Sequence, residues 1–144
     1  MAKQVLTEEN IIIGENVSSK EEAIKRVGGL LKDHGYVNDE YVNKMFEREE
    51  VTSTYMGNFL AIPHGTEEGK KEVLESGITI LLLEEPIEWD GNEVKLVIGI
   101  AGKGDEHLNI LSNIAITCSE EDTLQEILSA TTKEELMNHF GEVQ

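Results

Sequence analysis

The pentapeptide Ile62-Pro63-His64-Gly65-Thr66 holds the clearest chemistry in this chain. The apolar run Phe59-Leu60-Ala61-Ile62 leads into it and stops at Pro63, so His64 falls where a strand ends and a loop begins. Proline fixes its own φ and pushes the residue before it toward extended geometry. Glycine allows a turn or a close approach of backbone to a ligand. Imidazole titrates at about 6.5, so a histidine on such a stiff strand end can serve as nucleophile, base or metal ligand near neutral pH.

Two further residues are candidates. His107 follows the apolar run Val94–Ala101 across the loop Gly102-Lys103-Gly104-Asp105 and lies in the first turn of an expected helix. A helix N-terminus disfavours a cation and favours an anion, so a histidine there is expected neutral and close to an anion site. If the strands before His64 and His107 are adjacent, both rings meet at one sheet edge, where α/β proteins place their sites. Arg48 lies in Phe46-Glu47-Arg48-Glu49-Glu50. Alone, that run reads as a surface arginine among glutamates. His34 and His139 fall near helix C-termini, which accommodate a cation without a direct role. Cys118 sits among Ile114, Ala115 and Ile116 and reads as a buried thiol.

The elements that must position these residues follow from periodicity. Ser18-x-x-Glu21 and Ser19-x-x-Glu22 fit a capping box, and Ala23, Ile24, Val27, Leu30 and Leu31 then recur at helical spacing toward His34-Gly35. A second helix is expected from about Asn38 to Glu49, with Tyr41, Val42, Met45 and Phe46 inward. Gly57-Asn58 between two strand-like runs predicts a tight hairpin. Ile78–Leu83 and Val94–Ala101 are near-continuous apolar runs that suit central strands covered on both faces, with a turn at Trp89-Asp90-Gly91-Asn92. Asp105 is the expected N-cap of a helix carrying Leu108, Leu111, Ile114, Ala115 and Cys118, widened by Ile110. Two short helices close the chain, one through Ile127-Leu128 and one after Thr131-Thr132. The expected order is αα-ββ-β-β-ααα. The fold class is α/β: one sandwich spanning 1–144, a mixed β-sheet with helices on both faces.

Composition bounds the function. With 39% hydrophobic residues the chain can build a core. Its net charge of −17 argues against nucleic acid and against anionic membrane surfaces, both of which need clustered Lys and Arg. No apolar run approaches the ~20 residues of a membrane span, and Met1-Ala2-Lys3-Gln4 leads into no signal-type apolar segment, so a cytoplasmic protein is expected. One cysteine excludes an internal disulfide. A metal hydrolase on His64 and His107 would need a third ligand, and no acid has diagnostic spacing.

Phe46-x-Arg48-Glu49, Thr52-x-Thr54-x-x-Gly57 and Ala61-Ile62-Pro63-His64 together resemble the mannitol/fructose family of enzyme IIA proteins of the bacterial phosphoenolpyruvate-dependent sugar phosphotransferase system. The segment Gly99-Ile100-Ala101-Gly102-x-Gly104-Asp105-x-His107-Leu108 is similar to the mannitol branch. The resemblance implies that His64 takes a phosphoryl group from the phosphohistidine of HPr, at Nε2, and passes it to a cysteine of enzyme IIB. It implies that Arg48 and His107 line the same site. It requires no metal or other cofactor. With no IIB or membrane IIC domain attached, the partners are expected as separate polypeptides, IIC only indirectly. Mannitol rests on the resemblance alone. The alternative reading is a nitrogen-regulatory IIA whose phosphohistidine controls a transcriptional partner. An apolar patch near the histidines, from Met56, Phe59, Leu60, Ile62, Leu108 and Ile110, is the expected docking surface.

Overall fold

The apolar runs 78–83 and 94–101 become the middle of the sheet in the computed structural model, which describes residues 4–140. They are β4 (Gly77–Trp89) and β5 (Asn92–Ala101), preceded by β1 (Ile11–Glu15), α1 (Lys20–Asp33), α2 (Glu40–Val51), β2 (Tyr55–Gly57) and β3 (Leu60–Ala61). They are followed by α3 (Glu106–Ser119), α4 (Glu121–Leu128) and α5 (Lys133–Phe140). Single 3-10 turns occur at Glu8–Asn10 and Glu68–Glu72.

The spatial strand order is β1-β4-β5-β3-β2. β1 runs parallel to β4, β4 antiparallel to β5, β5 parallel to β3, and β3 antiparallel to β2. The mixed sheet with helices on both faces is therefore the fold anticipated from sequence. Residues of the central strands feed two cores, one on each side of the sheet. Ile78, Ile80, Leu82, Leu96, Ile98 and Ile100 pack with residues of α3, α4 and α5 such as Ile114, Ile127 and Phe140. Leu81, Leu83, Val94 and Val97 pack with Ile24, Val27, Tyr41 and Met45 of α1 and α2. Full burial of each aliphatic side chain contributes about 1.5–3 kcal/mol, and this is what holds the sheet between its helical layers.

Four expectations need correction. A strand, not expected from the sequence, precedes the first α-helix: Ile11, Ile12 and Ile13 pair with Ile80, Leu81 and Leu82. Three consecutive isoleucines are too few to show a period, and only the long-range partner makes them a strand. The β2–β3 hairpin turns at Asn58-Phe59, with φ of 53° and 66°, not at Gly57-Asn58. Pairing of Gly57 with Leu60 sets that register, which demands the left-handed region at both central positions and places Phe59 there against its steric preference. α2 starts after Asp39 and runs to Val51. In α3 the inward face is Ile110-Ile114-Cys118, while Leu108 is 64% exposed.

The capping signals hold better. The Ser19 hydroxyl accepts from the Glu22 N–H at 3.1 Å, and the Glu22 carboxylate reaches back to the Ser18 N–H and hydroxyl. The expected β4–β5 turn forms with Asp90 at φ 52° and Gly91 at φ 90°.

Candidate active site at the ends of β3 and β5

β3 and β5 run parallel, with Leu60 beside Leu96 and Ala61 beside Val97. Pairing continues past the strand, since the Ile100 N–H donates to the Pro63 carbonyl at 3.0 Å and His64 bridges Ile100 in parallel. His64 is thus carried at the C-terminal end of one strand and His107 on the loop and helix leaving its neighbour. Their ring centroids lie 5.1 Å apart with planes tilted by 54°. The convergence expected from sequence is realised.

His64 is 9% exposed. Its Nδ1 lies 2.8 Å from the Ile62 carbonyl oxygen, two residues back across Pro63. A carbonyl can only accept, so Nδ1 carries the hydrogen and the neutral ring keeps its lone pair on Nε2. Burial holds the imidazole pKa below its ordinary value. The Ile62 carbonyl opposes that shift, Arg48 adds to it, and Glu49 opposes it. His107 is lowered further, to about 4, first by burial and then by His64 and Lys70, with Arg48 contributing and Glu67 opposing. Both rings are therefore neutral at physiological pH. The neutral His107 expected at a helix start is found, with burial as the main cause. Asp105 occupies the N-cap position without a side-chain capping bond.

Arg48 is half-buried in the last turn of α2, and its Nη1 donates to the Thr52 carbonyl at 2.8 Å. Its neighbour Glu49 is not a surface partner: it is 7% exposed. The Glu49 carboxylate accepts the Thr54 N–H at 3.0 Å, the Thr54 hydroxyl at 2.6 Å and the Trp89 Nε1–H at 3.0 Å. Two other residues act on the site without having been singled out from sequence. The Tyr41 hydroxyl donates to the Ile100 carbonyl at 2.7 Å and accepts the Gly65 N–H at 2.9 Å, tying α2 to both strand ends. Burial pushes its pKa to about 12. The Ser76 hydroxyl accepts the Lys103 N–H at 2.9 Å and donates to the Glu106 carboxylate at 2.6 Å, which fixes the loop before His107.

Glycine matters at two points here. A Cβ on Gly65 would meet the Tyr41 ring at 2.5 Å, and one on Gly102 would collide with the His107 backbone. Cys118 is buried, and burial drives its thiol pKa up to about 12, so it is an inert core group. His34 caps α1, and His139 lies 3.4 Å from Glu126 in another helix. Among the described residues no group of three or more His, Cys, Asp or Glu is placed to hold a metal ion. No described helix is long and apolar enough to cross a membrane.

Fold and site together define an α/β protein with a paired-histidine centre at the carboxyl ends of two parallel strands, flanked by an arginine. Residues 4–143 match the family model described as the phosphoenolpyruvate-dependent sugar phosphotransferase system, EIIA 2, and the chain belongs to that family. The mannitol-specific phosphotransferase enzyme IIA component of Bacillus subtilis is 59% identical over 141 residues, 97% of this chain and 99% of that protein. The Escherichia coli complex of enzyme IIAMTL and phosphorylated enzyme IIBMTL superimposes with a TM-score of 0.89 at 33% identity, covering 95% of this chain and 97% of the other. The nitrogen regulatory protein IIA-Ntr of Neisseria meningitidis superimposes with a TM-score of 0.81 at 25% identity, covering 94% and 95%.

Proposed function

We propose that this chain is the enzyme IIA component of a mannitol phosphotransferase system, acting in the cytoplasm. His64 is the nucleophile, and His107 and Arg48 assist it. The observation that carries this reading is the ring pair at the strand ends, with His64 Nδ1 committed to a carbonyl and its Nε2 lone pair left for chemistry. The identity to mannitol-specific relatives favours that sugar system over the nitrogen-regulatory alternative.

The transfer proceeds in two displacements. His64 Nε2 attacks the phosphorus held on the HPr histidine; a P–N bond forms as the donor's P–N bond breaks and its electron pair returns to the donor ring. A thiolate sulfur of enzyme IIB then attacks the same phosphorus, and the pair of the breaking bond returns to Nε2. Splitting the transfer through a covalent intermediate replaces one difficult meeting of three proteins by two simpler ones. The moving group spreads charge over three oxygens, so catalysis is positioning and electrostatics. Burial keeps His64 deprotonated and reactive. Arg48 offers a planar fork of donors, and the α3 start with His107 offers more. Of the expected docking residues, Met56, Phe59 and Leu108 are exposed, whereas Leu60, Ile62 and Ile110 belong to the core.

The test is transfer itself. With phosphorylated HPr the chain should acquire a phosphoryl group and lose it to the IIB of a mannitol system. Transfer to no IIB, together with phosphorylation-dependent capture of a transcriptional regulator, would instead support the regulatory reading.

A further inference from the structure

The geometry points to Glu49 as a positioning residue for His64: its buried carboxylate orients the ring through Thr54 and Ile62 and stabilises the positive charge the ring acquires when Nε2 bonds to phosphorus. This rests on the function proposed above. Three links join the carboxylate to the imidazole. Glu49 holds Thr54 by N–H and hydroxyl, the Thr54 carbonyl accepts the Ile62 N–H at 3.1 Å, and the Ile62 carbonyl accepts from His64 Nδ1 at 2.8 Å. Glu49, Thr54, Ile62 and His64 are all buried, so none of these links competes with water.

The carboxylate looks costly where it stands. A buried charge persists only when paired or well hydrogen-bonded. Three donors converge on it, and the nearby Lys20 ammonium, itself paired with Asp90 at 2.7 Å, feels its field. An acid beside a site built to receive an anionic group needs a reason, and the direction of approach supplies one. The links reach the ring at Nδ1, and the phosphoryl group bonds at Nε2. Attack leaves Nδ1 protonated on a cationic ring. A carboxylate behind the Nδ1 side favours that ring, as the buried acid behind a catalytic histidine does in hydrolytic triads. The effect on His64 is in that sense: Glu49 favours its protonated form, against burial and Arg48. The charged groups bearing on the two rings are thus Arg48 and Glu49 from α2, with Lys70 and Glu67 acting on His107.

The experiment compares wild type with Glu49→Gln and Glu49→Asp, reading the His64 ring by 15N NMR titration and phosphorylation by phospho-HPr in a quench-flow instrument. Glu49→Gln keeps the shape and removes the charge. The His64 pKa should fall by roughly half a unit to one unit, the scale of one charge acting across a protein interior. The phosphorylation rate should fall by roughly tenfold. Glu49→Asp keeps the charge and shortens the reach. It should leave the pKa close to that of wild type, yet disturb the Nδ1–H tautomer and slow transfer. If Glu49→Gln does not fold, Glu49→Asp carries the test alone. An unchanged tautomer and rate in that protein, or an unchanged His64 pKa and rate in Glu49→Gln, overturns the proposal. If wild type accepts no phosphoryl group, the functional reading fails, while the ring titration still decides whether Glu49 acts on His64.

Discussion

Tyr41→Phe is the sharpest test of how this site is held. The hydroxyl is the only group removed, and it joins α2 to the Ile100 carbonyl at the end of β5 and to the Gly65 N–H just after His64. Tyr41 is 2% exposed, so water does not replace the hydroxyl. Each buried backbone group left unpaired costs about 1–3 kcal/mol, and removal of the buried hydroxyl offsets part of this. A net loss of about 2–4 kcal/mol follows, which for a chain of this size lowers Tm by roughly 5–15 °C. The two strand ends it joins carry the two histidines. Loosening them by even a fraction of an ångström should slow phosphoryl acceptance by at least about tenfold. Thermal unfolding by circular dichroism reads the first effect and quench-flow with phospho-HPr the second. Amide exchange gives a local check, since the Gly65 N–H should exchange faster than neighbours that keep their partners. A Tm within about 1 °C of wild type, with Gly65 still protected, would show that the Tyr41 hydroxyl does not hold the two strand ends.

Gly102→Ala should destabilise the β5–α3 junction, because the added methyl collides with the His107 backbone, which cannot move aside as a flexible side chain would; a loss of more than about 1 kcal/mol in urea titration is expected. Neutral folded histidines give a defined pH dependence. His64 and His107 have folded pKa values depressed below 6.5, so the unfolded chain binds more protons and their stabilisation is full above about 6.5, then lost as pH falls through the folded values, which for His107 is about 4. With His107 partly exposed, its share is discounted to about 1 kcal/mol at pH 5, and His107→Asn should shrink the difference in unfolding free energy between pH 7 and pH 5, read by urea titration, by that amount. Arg48→Ala and His107→Ala should each slow transfer to IIB by on the order of a hundredfold while leaving His64 able to accept, and stopped-flow rates equal to wild type would show both side chains to be only structural.

Much of this was legible in the residues. The apolar runs around Ile80 and Ile98 exceed what a half-exposed strand needs, which placed them centrally under two helical layers. Pro63 marked the strand end and so the place of His64. The loop before His107 was readable from its glycines, and its length brought the second ring to the same edge. The missed features depend on partners distant in sequence. Ile11–Ile13 becomes a strand only because β4 offers a free edge. Glu49 reads as one acid in an acidic run until Thr54 and Trp89 converge on it. A signal was nonetheless present: Tyr41, Met45 and Glu49 share one helical face, and an acid on an otherwise inward stripe implies buried donors. A tyrosine on that stripe likewise implies a partner for its hydroxyl.

If the mechanism proposed above holds, His64 carries the phosphoryl group on Nε2. The direct measurement is to incubate the protein with phosphoenolpyruvate, enzyme I and HPr, then locate the phosphate by peptide mapping and assign the ring nitrogen by 15N and 31P NMR. One phosphoryl group per chain is expected, on the peptide containing His64, bonded to Nε2 with Nδ1 still protonated, and none on His64→Ala. Phosphate on His107, His34 or His139, or on His64 Nδ1, would contradict it.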